Sequence, residues 1–336
     1  MTGSAFCKIV QQNCDISDAR HGGMYSICTL VLKLRNFFKW EQGLPPWEEP
    51  ESTTVLEWIA GREKLWETVR EQELHSLPVN GQQIDPYETV VINDLLAAAG
   101  EVYGAGYGRS MKPIFFVAEK KSTSSVEGWP VIILGREKAR ELASPVAMLQ
   151  EGTIFLRREQ LRYFLWDQLQ EVQASTKAAM RELWRLHSIQ DAHGQCDRIR
   201  LIDKLETVAD REMVAIIRHE VGEAAEDGPY GDLIRRVVST FAETPIEYLG
   251  RGIKDILADT NSLGLLGYVA GNKVETSLAL YVATLDGMRK LLFPELIAAY
   301  PRFLENHDWL VIKEAVHAGR RRNIERMEKL AALYHK

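Results

Sequence analysis

The chain has 336 residues, of which 46% are hydrophobic and 26% charged, and a formal net charge of −6. That composition excludes wholesale disorder and a fibrous protein, and the length exceeds what one core usually serves, so two structural parts are expected. The mild acidity argues against nucleic acid as a partner, because phosphate neutralisation needs cations gathered on one face. Four cysteines and the lack of a charged-then-apolar leader lead to the expectation of a cytoplasmic chain with reduced thiols. No run reaches the roughly 18 apolar residues of a spanning helix, so no membrane partner is expected.

In chain order, Met24, Ile27, Cys28, Val31, Leu34 and Phe38 recur at spacings of three and four and predict a helix over Asp18 to Trp40. The Gly43-Leu-Pro-Pro-Trp47 turn stops it. A second helix is expected from Thr53 to Leu74, with Trp58, Leu65 and Trp66 as bulky apolar positions, and a short third within Glu88 to Ala99. These three helices precede the first expected strand. Gly104-Ala-Gly106-Tyr-Gly108 precedes a strand instead of following one, so it reads as a loop and not as a dinucleotide fingerprint. Apolar runs from Pro113 to Ala118 and Trp129 to Leu134 flank polar Lys120 to Gly128, predicting a β-hairpin with a long tip, and Thr153 to Leu156 adds a third strand.

From Glu159 onward helical patterns recur, separated by Gly194, Gly228-Pro229, Thr244-Pro245, Gly264 and Phe293-Pro294. The expected class is therefore mainly α. Residues 1–158 form an N-terminal α+β part with a small antiparallel hairpin or sheet, and residues 159–336 an all-helical bundle of six or seven helices.

Cys7, Cys14, His21 and Cys28 fall seven apart. On a helix that spacing is roughly 10.5 Å of rise, too far for neighbours to share one ion. Buried thiols are the expectation, with a Cys14–His21 thiolate–imidazole pair as the alternative if the chain folds back. Arg320-Arg321-Arg322, with Glu325 and Glu328 nearby, reads as a solvated helix face.

The C-terminal helices carry more chemistry. Around Arg218-His219-Glu220-Val221-Gly222-Glu223, the residues Met213, Val214, Ile217 and Val221 define an inward face with Glu220 at its edge. Glu212 and Glu223 project further out, and His219 with Glu223 reads as a surface pair. Glu275 lies at the margin of the stripe of Val274, Leu278, Tyr281 and Leu285. Glu314 and His317, three apart, share a face beside Leu310, following His307-Asp308. Such Glu-x-x-His spacing is used by di-iron bundles, and also occurs on solvated helices.

Residues 200–330 resemble the haem-oxygenase-like helical superfamily that includes the TenA thiaminases, the PqqC oxidases and non-haem di-iron oxidases. The likeness lies in Glu220-Val-Gly222 followed by Gly228-Pro-Tyr-Gly-Asp-Leu233, which looks like a Glu-x-Gly helix end, in Gly271-Asn-Lys-Val-Glu275, and in Phe303-Leu-Glu-Asn-His307 with Glu314 and His317. The chain departs from the metal-binding branch in having no histidine in Asp227 to Tyr230 and Val311 where an acidic ligand would stand. The resemblance implies a metal set of Glu220, Glu275, His307, Glu314 and His317, iron or manganese as cofactor, and an oxidoreductase acting on a small organic substrate. The N-terminal segment Leu34 to Trp47 resembles a bacterial family of no assigned activity.

Two other readings stand beside it. One is a non-catalytic protein whose bundle offers a small-molecule pocket or a surface for homo-oligomerisation, supported by Trp166, Trp184, Tyr248, Tyr281, Phe293 and Trp309. The other is a cofactor-free enzyme with His219 or His317 as general base.

Overall fold

The computed structural model describes residues 4–334 apart from Asn80 and Asp286, with Ser4 and Pro229 described by their backbone alone. Thirteen α-helices and seven strands occur among the described residues. No helix among them is long and apolar enough to cross a membrane. The chain divides into two compact units that exchange segments, so neither is one stretch of sequence. One comprises residues 1–124, 132–146 and 157–163; the other comprises 125–131, 147–156 and 164–336.

The first unit opens with α1 (Ser4–His21), a helix that the sequence pattern does not announce. Its register is fixed by polar latches as well as apolar ones. Asn13 donates to and accepts from the His75 backbone at 2.9 and 2.7 Å, Ser17 donates to the Pro113 carbonyl at 2.6 Å, and buried Asp18 meets the Lys112 ammonium at 2.6 Å. The expected helix over 18–40 is divided. After Gly22-Gly23 the chain restarts as α2 (Ile27–Glu41), where the Ser26 side chain accepts from the Thr29 amide as an N-cap. Next come α3 (Ser52–Val69), a hairpin of β1 (Leu77–Val79) and β2 (Gln82–Ile84), and α4 (Thr89–Leu96). Strands therefore begin before α4 and not after it.

The glycine-rich segment expected as a loop is β3 (Glu101–Tyr107). Gly104 stands opposite Phe116, and a Cβ there would come within 2.1 Å of the Phe116 ring, so glycine makes room for the aromatic instead of breaking the strand. The expected hairpin is β4 (Pro113–Val126) and β5 (Trp129–Arg140). Its tip is tight, not long: pairing runs to a two-residue turn, Glu127-Gly128, both at positive φ (51° and 85°). Adding β6 (Ala147–Gln150) and β7 (Thr153–Arg157), the larger sheet has the order β3-β4-β5-β7-β6.

The remaining chain is helical: α5 (Arg158–Gln168), α6 (Lys177–His187), α7 (Arg198–Thr240), α8 (Pro245–Thr260), α9 (Leu265–Asn272), α10 (Glu275–Ala283), α11 (Gly287–Leu292), α12 (Pro294–Asn306) and α13 (Trp309–Tyr334). This is an α+β protein with a helical C-terminal part. The nine helices exceed the six or seven expected, although α7 passes straight through Gly228-Pro229, where the sequence predicts a break. Pro229 removes one helical hydrogen bond, whereas burial of the α7 face against its neighbours, with Val221, Leu233, Ile234 and Val237 all inside, acts over the whole length. Arg235 also bridges the suspect turn, reaching Asp227 at 2.6 Å and Asp232 at 2.7 Å.

Candidate functional site

The helical unit gathers its ionisable groups where α7 meets α8. Glycine makes that approach close: a Cβ on Gly222 would lie 2.1 Å from the Ala258 carbonyl oxygen, and one on Gly264 would lie 1.9 Å from the same atom. The Glu-x-Gly segment is thus a helix crossing and not a helix end. Around this crossing α7 presents His219 and Glu223 and α8 presents Lys254, Asp255 and Asp259.

His219 Nδ1 lies 2.7 Å from Asp259 Oδ1, and the other oxygen of Asp259 accepts from the Tyr281 hydroxyl at 2.9 Å. Asp259 is fully buried and therefore fixes the imidazole with its Nδ1–H toward α8. Nε2 then faces Glu223, 3.4 Å from Oε1, while Glu223 Oε2 accepts from Lys254 Nζ at 2.6 Å. The His219, Glu223 and Asp255 side chains can each bring one ligand atom within 4.8 Å of the others, and they are the one such trio among the described residues.

Electrostatics separates these groups. Burial works against a charged His219 ring, yet Asp259 and then Glu223 outweigh it and raise its pKa well above the ordinary value. Burial likewise pulls Glu223 upward, but Lys254 and His219 prevail and hold it well below the carboxylate range. Glu220, buried one residue away, is pushed up to about 7 by burial and then by repulsion from Glu223. Asp255 is raised by burial, with His219 opposing. Four carboxylates, Glu220, Glu223, Asp255 and Asp259, thus stand against three cationic groups, His219, Lys254 and Arg289.

The five residues expected as a metal set do not gather. Glu220 is buried on α7, as its helical projection requires. Glu275 at the start of α10 pairs with His307, the left-handed cap of α12, at 3.3 Å. Glu314 and His317 are exposed on α13, because Val311, Ile312, Ala315, Val316 and Gly319 form its inward face and Leu310 is itself 58% exposed. Two other projections are corrected. Val214 is exposed, and Glu212, expected outside, is fully buried between His187 Nε2 at 3.0 Å and the Ser277 hydroxyl at 2.6 Å. The alternative Cys14–His21 pair is not formed: the Cys14 thiol donates to the Phe115 carbonyl and His21 Nδ1 turns back to the Ser17 carbonyl.

Sequence reasoning missed Asp255 and Asp259, although the Asp255-Ile-Leu-Ala-Asp259 spacing puts both on one helical face. Nothing local marks α8 as the partner of His219, forty residues earlier.

Two family models match the chain end to end, the N-terminal domain of a family of unknown function (DUF6866) over residues 5–157 and its C-terminal domain over residues 162–336. The chain belongs to this family. No curated protein and no solved structure matches it. The His219 cluster lies within the DUF6866 C-terminal domain and draws on no residue of the N-terminal one.

Proposed function

We propose that the C-terminal domain is a metal-dependent oxidoreductase of haem-oxygenase-like kind. Its metal would be a single iron or manganese ion held by His219, Glu223 and Asp255, in place of the set implied by the sequence resemblance. The observation that carries the reading is the orientation of His219. A buried carboxylate on Nδ1, itself held by a tyrosine hydroxyl, is the outer-shell arrangement that aims Nε2 at a metal. One imidazole nitrogen and two carboxylate oxygens form a donor set suited to these ions. A divalent cation would also neutralise the surplus carboxylate charge and displace the proton from Nε2, so binding strengthens as pH rises. When bound, the ion would supply redox chemistry; the chain's own part is to orient His219 and limit access. Glu223 and Lys254 border a cavity of about 80 Å³ lined by Tyr230, Ile234, Leu257 and Met327. That is room for a very small molecule beside the ligands.

The Lys254–Glu223 bond favours a second reading, in which the same residues are an ionic clamp of α7 on α8 in a non-catalytic protein. Elemental analysis of the full chain, loaded with iron or manganese and desalted, separates the two. The metal site predicts near-stoichiometric metal that His219→Ala and Asp255→Ala abolish while Glu275→Ala and His317→Ala retain it. Folded, metal-free protein would remove the oxidoreductase reading and leave the clamp; oxygen-consumption assays are warranted only by the first result.

A further inference from the structure

The first unit contains an open cleft of about 1010 Å³ whose wall is strongly cationic. Lys8, Lys121, Arg136, Lys138, Arg158 and Arg162 line it, against Glu41, Glu137 and Glu159. Two of the three carboxylates are already committed to arginines, and the third accepts from a backbone amide. Glu41 accepts from Trp58 and Arg62, Glu137 accepts from Arg157 and Gln160, and Glu159 accepts from the Glu137 amide. Lys138 is paired with Glu101 at 2.6 Å. Lys8, Lys121 and Arg136 make no ion pair among the described residues, so their charge faces the cleft uncompensated.

A second observation points the same way. Arg140 is 2% exposed, and its Nε and Nη1 have no hydrogen-bond partner. Its guanidinium stands 5.0 Å from the ring of Trp40, a residue of the cleft wall, and 5.2 Å from that of Phe37. Its backbone is clamped on both sides by Gln11, another wall residue, at 3.1 Å. Glu137 and Glu141 act on its charge, yet these two N–H groups, behind the wall residues Gln11 and Trp40, have no acceptor of their own; that is costly when buried, and an oxyanion is the natural acceptor of a guanidinium.

We propose that this cleft binds a phosphate-bearing small molecule, its phosphates met by Lys8, Lys121 and Arg136 and backed by Arg140. The volume is at the upper end of small-ligand sites and exceeds what one phosphate fills. The shared chemistry is a chain of phosphates, which a polyphosphate or a nucleotide could supply; the half-buried Trp40 is the aromatic side chain of the wall that a base could meet. These four cations belong to the family's N-terminal domain, and the proposal is independent of the metal site.

Isothermal titration of the full chain with pyrophosphate, ATP and citrate tests it, repeated with Lys8→Glu/Lys121→Glu/Arg136→Glu, whose changes are all on side chains facing the open cleft. The expected result is pyrophosphate and ATP binding that weakens as salt is raised and falls at least about tenfold in the folded triple variant. Tighter ATP than pyrophosphate, lost on Trp40→Ala, assigns a nucleotide; equal affinities assign the phosphates alone. No binding of either at millimolar concentration, equal affinity for citrate, or unchanged affinity in the triple variant would overturn the proposal.

Discussion

Replacing Gly222 with alanine tests whether the crossing of α7 and α8 sets the geometry of the candidate site. The new methyl would stand 2.1 Å from the Ala258 carbonyl oxygen, 2.8 Å from its carbon and 3.1 Å from Gly264 Cα, all backbone atoms that no rotamer change can move. Alanine in a helix interior gains about 1 kcal/mol over glycine, whereas an approach this close to backbone atoms puts the cost of forcing the helices apart at about 2–3 kcal/mol, the upper part of the usual range, so a net loss of about 1–2 kcal/mol is expected. Gly271→Ala on α9 is the control, since a Cβ there meets nothing within 4 Å and should stabilise by up to about 1 kcal/mol. Guanidinium unfolding monitored by circular dichroism reads both. Opposite signs for the two variants support the argument; a Gly222→Ala protein as stable as the wild type would refute it, because the helices would then have slack. Metal binding measured on the same variant should weaken, as His219 and Asp259 are drawn apart.

Individual contacts lead to further expected outcomes. Tyr281→Phe strips the hydroxyl from buried Asp259 and should cost about 1–3 kcal/mol in denaturant unfolding, as for hydrogen bonds to charged groups; a change under about 0.5 kcal/mol would contradict the described bond. Burial pushes Asp15 up to about 6 despite Arg62 at 2.8 Å. Between pH 3.8 and about 6 the folded chain therefore keeps a proton that the unfolded chain has lost. Its contribution is greatest below that window and disappears as pH rises through it, on the order of 1–3 kcal/mol in all. Asp15→Asn should flatten that part of the stability–pH curve, and an unaltered slope would reject the assignment. Of the four thiols, Cys28 is exposed, Cys14 is buried, and burial raises Cys7 and moves Cys196 up to about 11. Titration with a disulfide reagent should modify Cys28 first and release the others fully only in denaturant; simultaneous modification of Cys14 would show that α1 is not seated as described.

The sequence makes some features legible and hides others for physical reasons. Periodicity reveals the helical C-terminal part, the β4–β5 hairpin and the burial of Glu220, since each depends on residues close in sequence. Glu212 is misassigned outward, and the His219–Glu223 pair, which does form, is half-buried and not on the surface, because the groups that cover these side chains, His187, Ser277 and Asp259, come from α6, α10 and α8. A helical projection ranks the hydrophobic face, but a carboxylate can lie inside wherever another element supplies donors. Glycine misleads twice: Gly104 makes room for an aromatic within a strand, and Gly228 sits inside a helix. The cationic cleft is invisible in the sequence because its wall is assembled from α1, α2, β4, β5 and α5.

The uninterrupted α7 has a bearing on which lengths of chain can change. Its 43 residues make a rod of roughly 65 Å, and along it Glu212 and His219 engage different partners seven residues apart. Inserting or deleting one residue between them would rotate everything beyond by about 100°, so one of the two stations would lose its partners. Length variation should therefore be tolerated at the Glu127-Gly128 turn or the Asp191–Gln195 loop, and not within this helix, where each added residue shifts the phase of the rest of the rod.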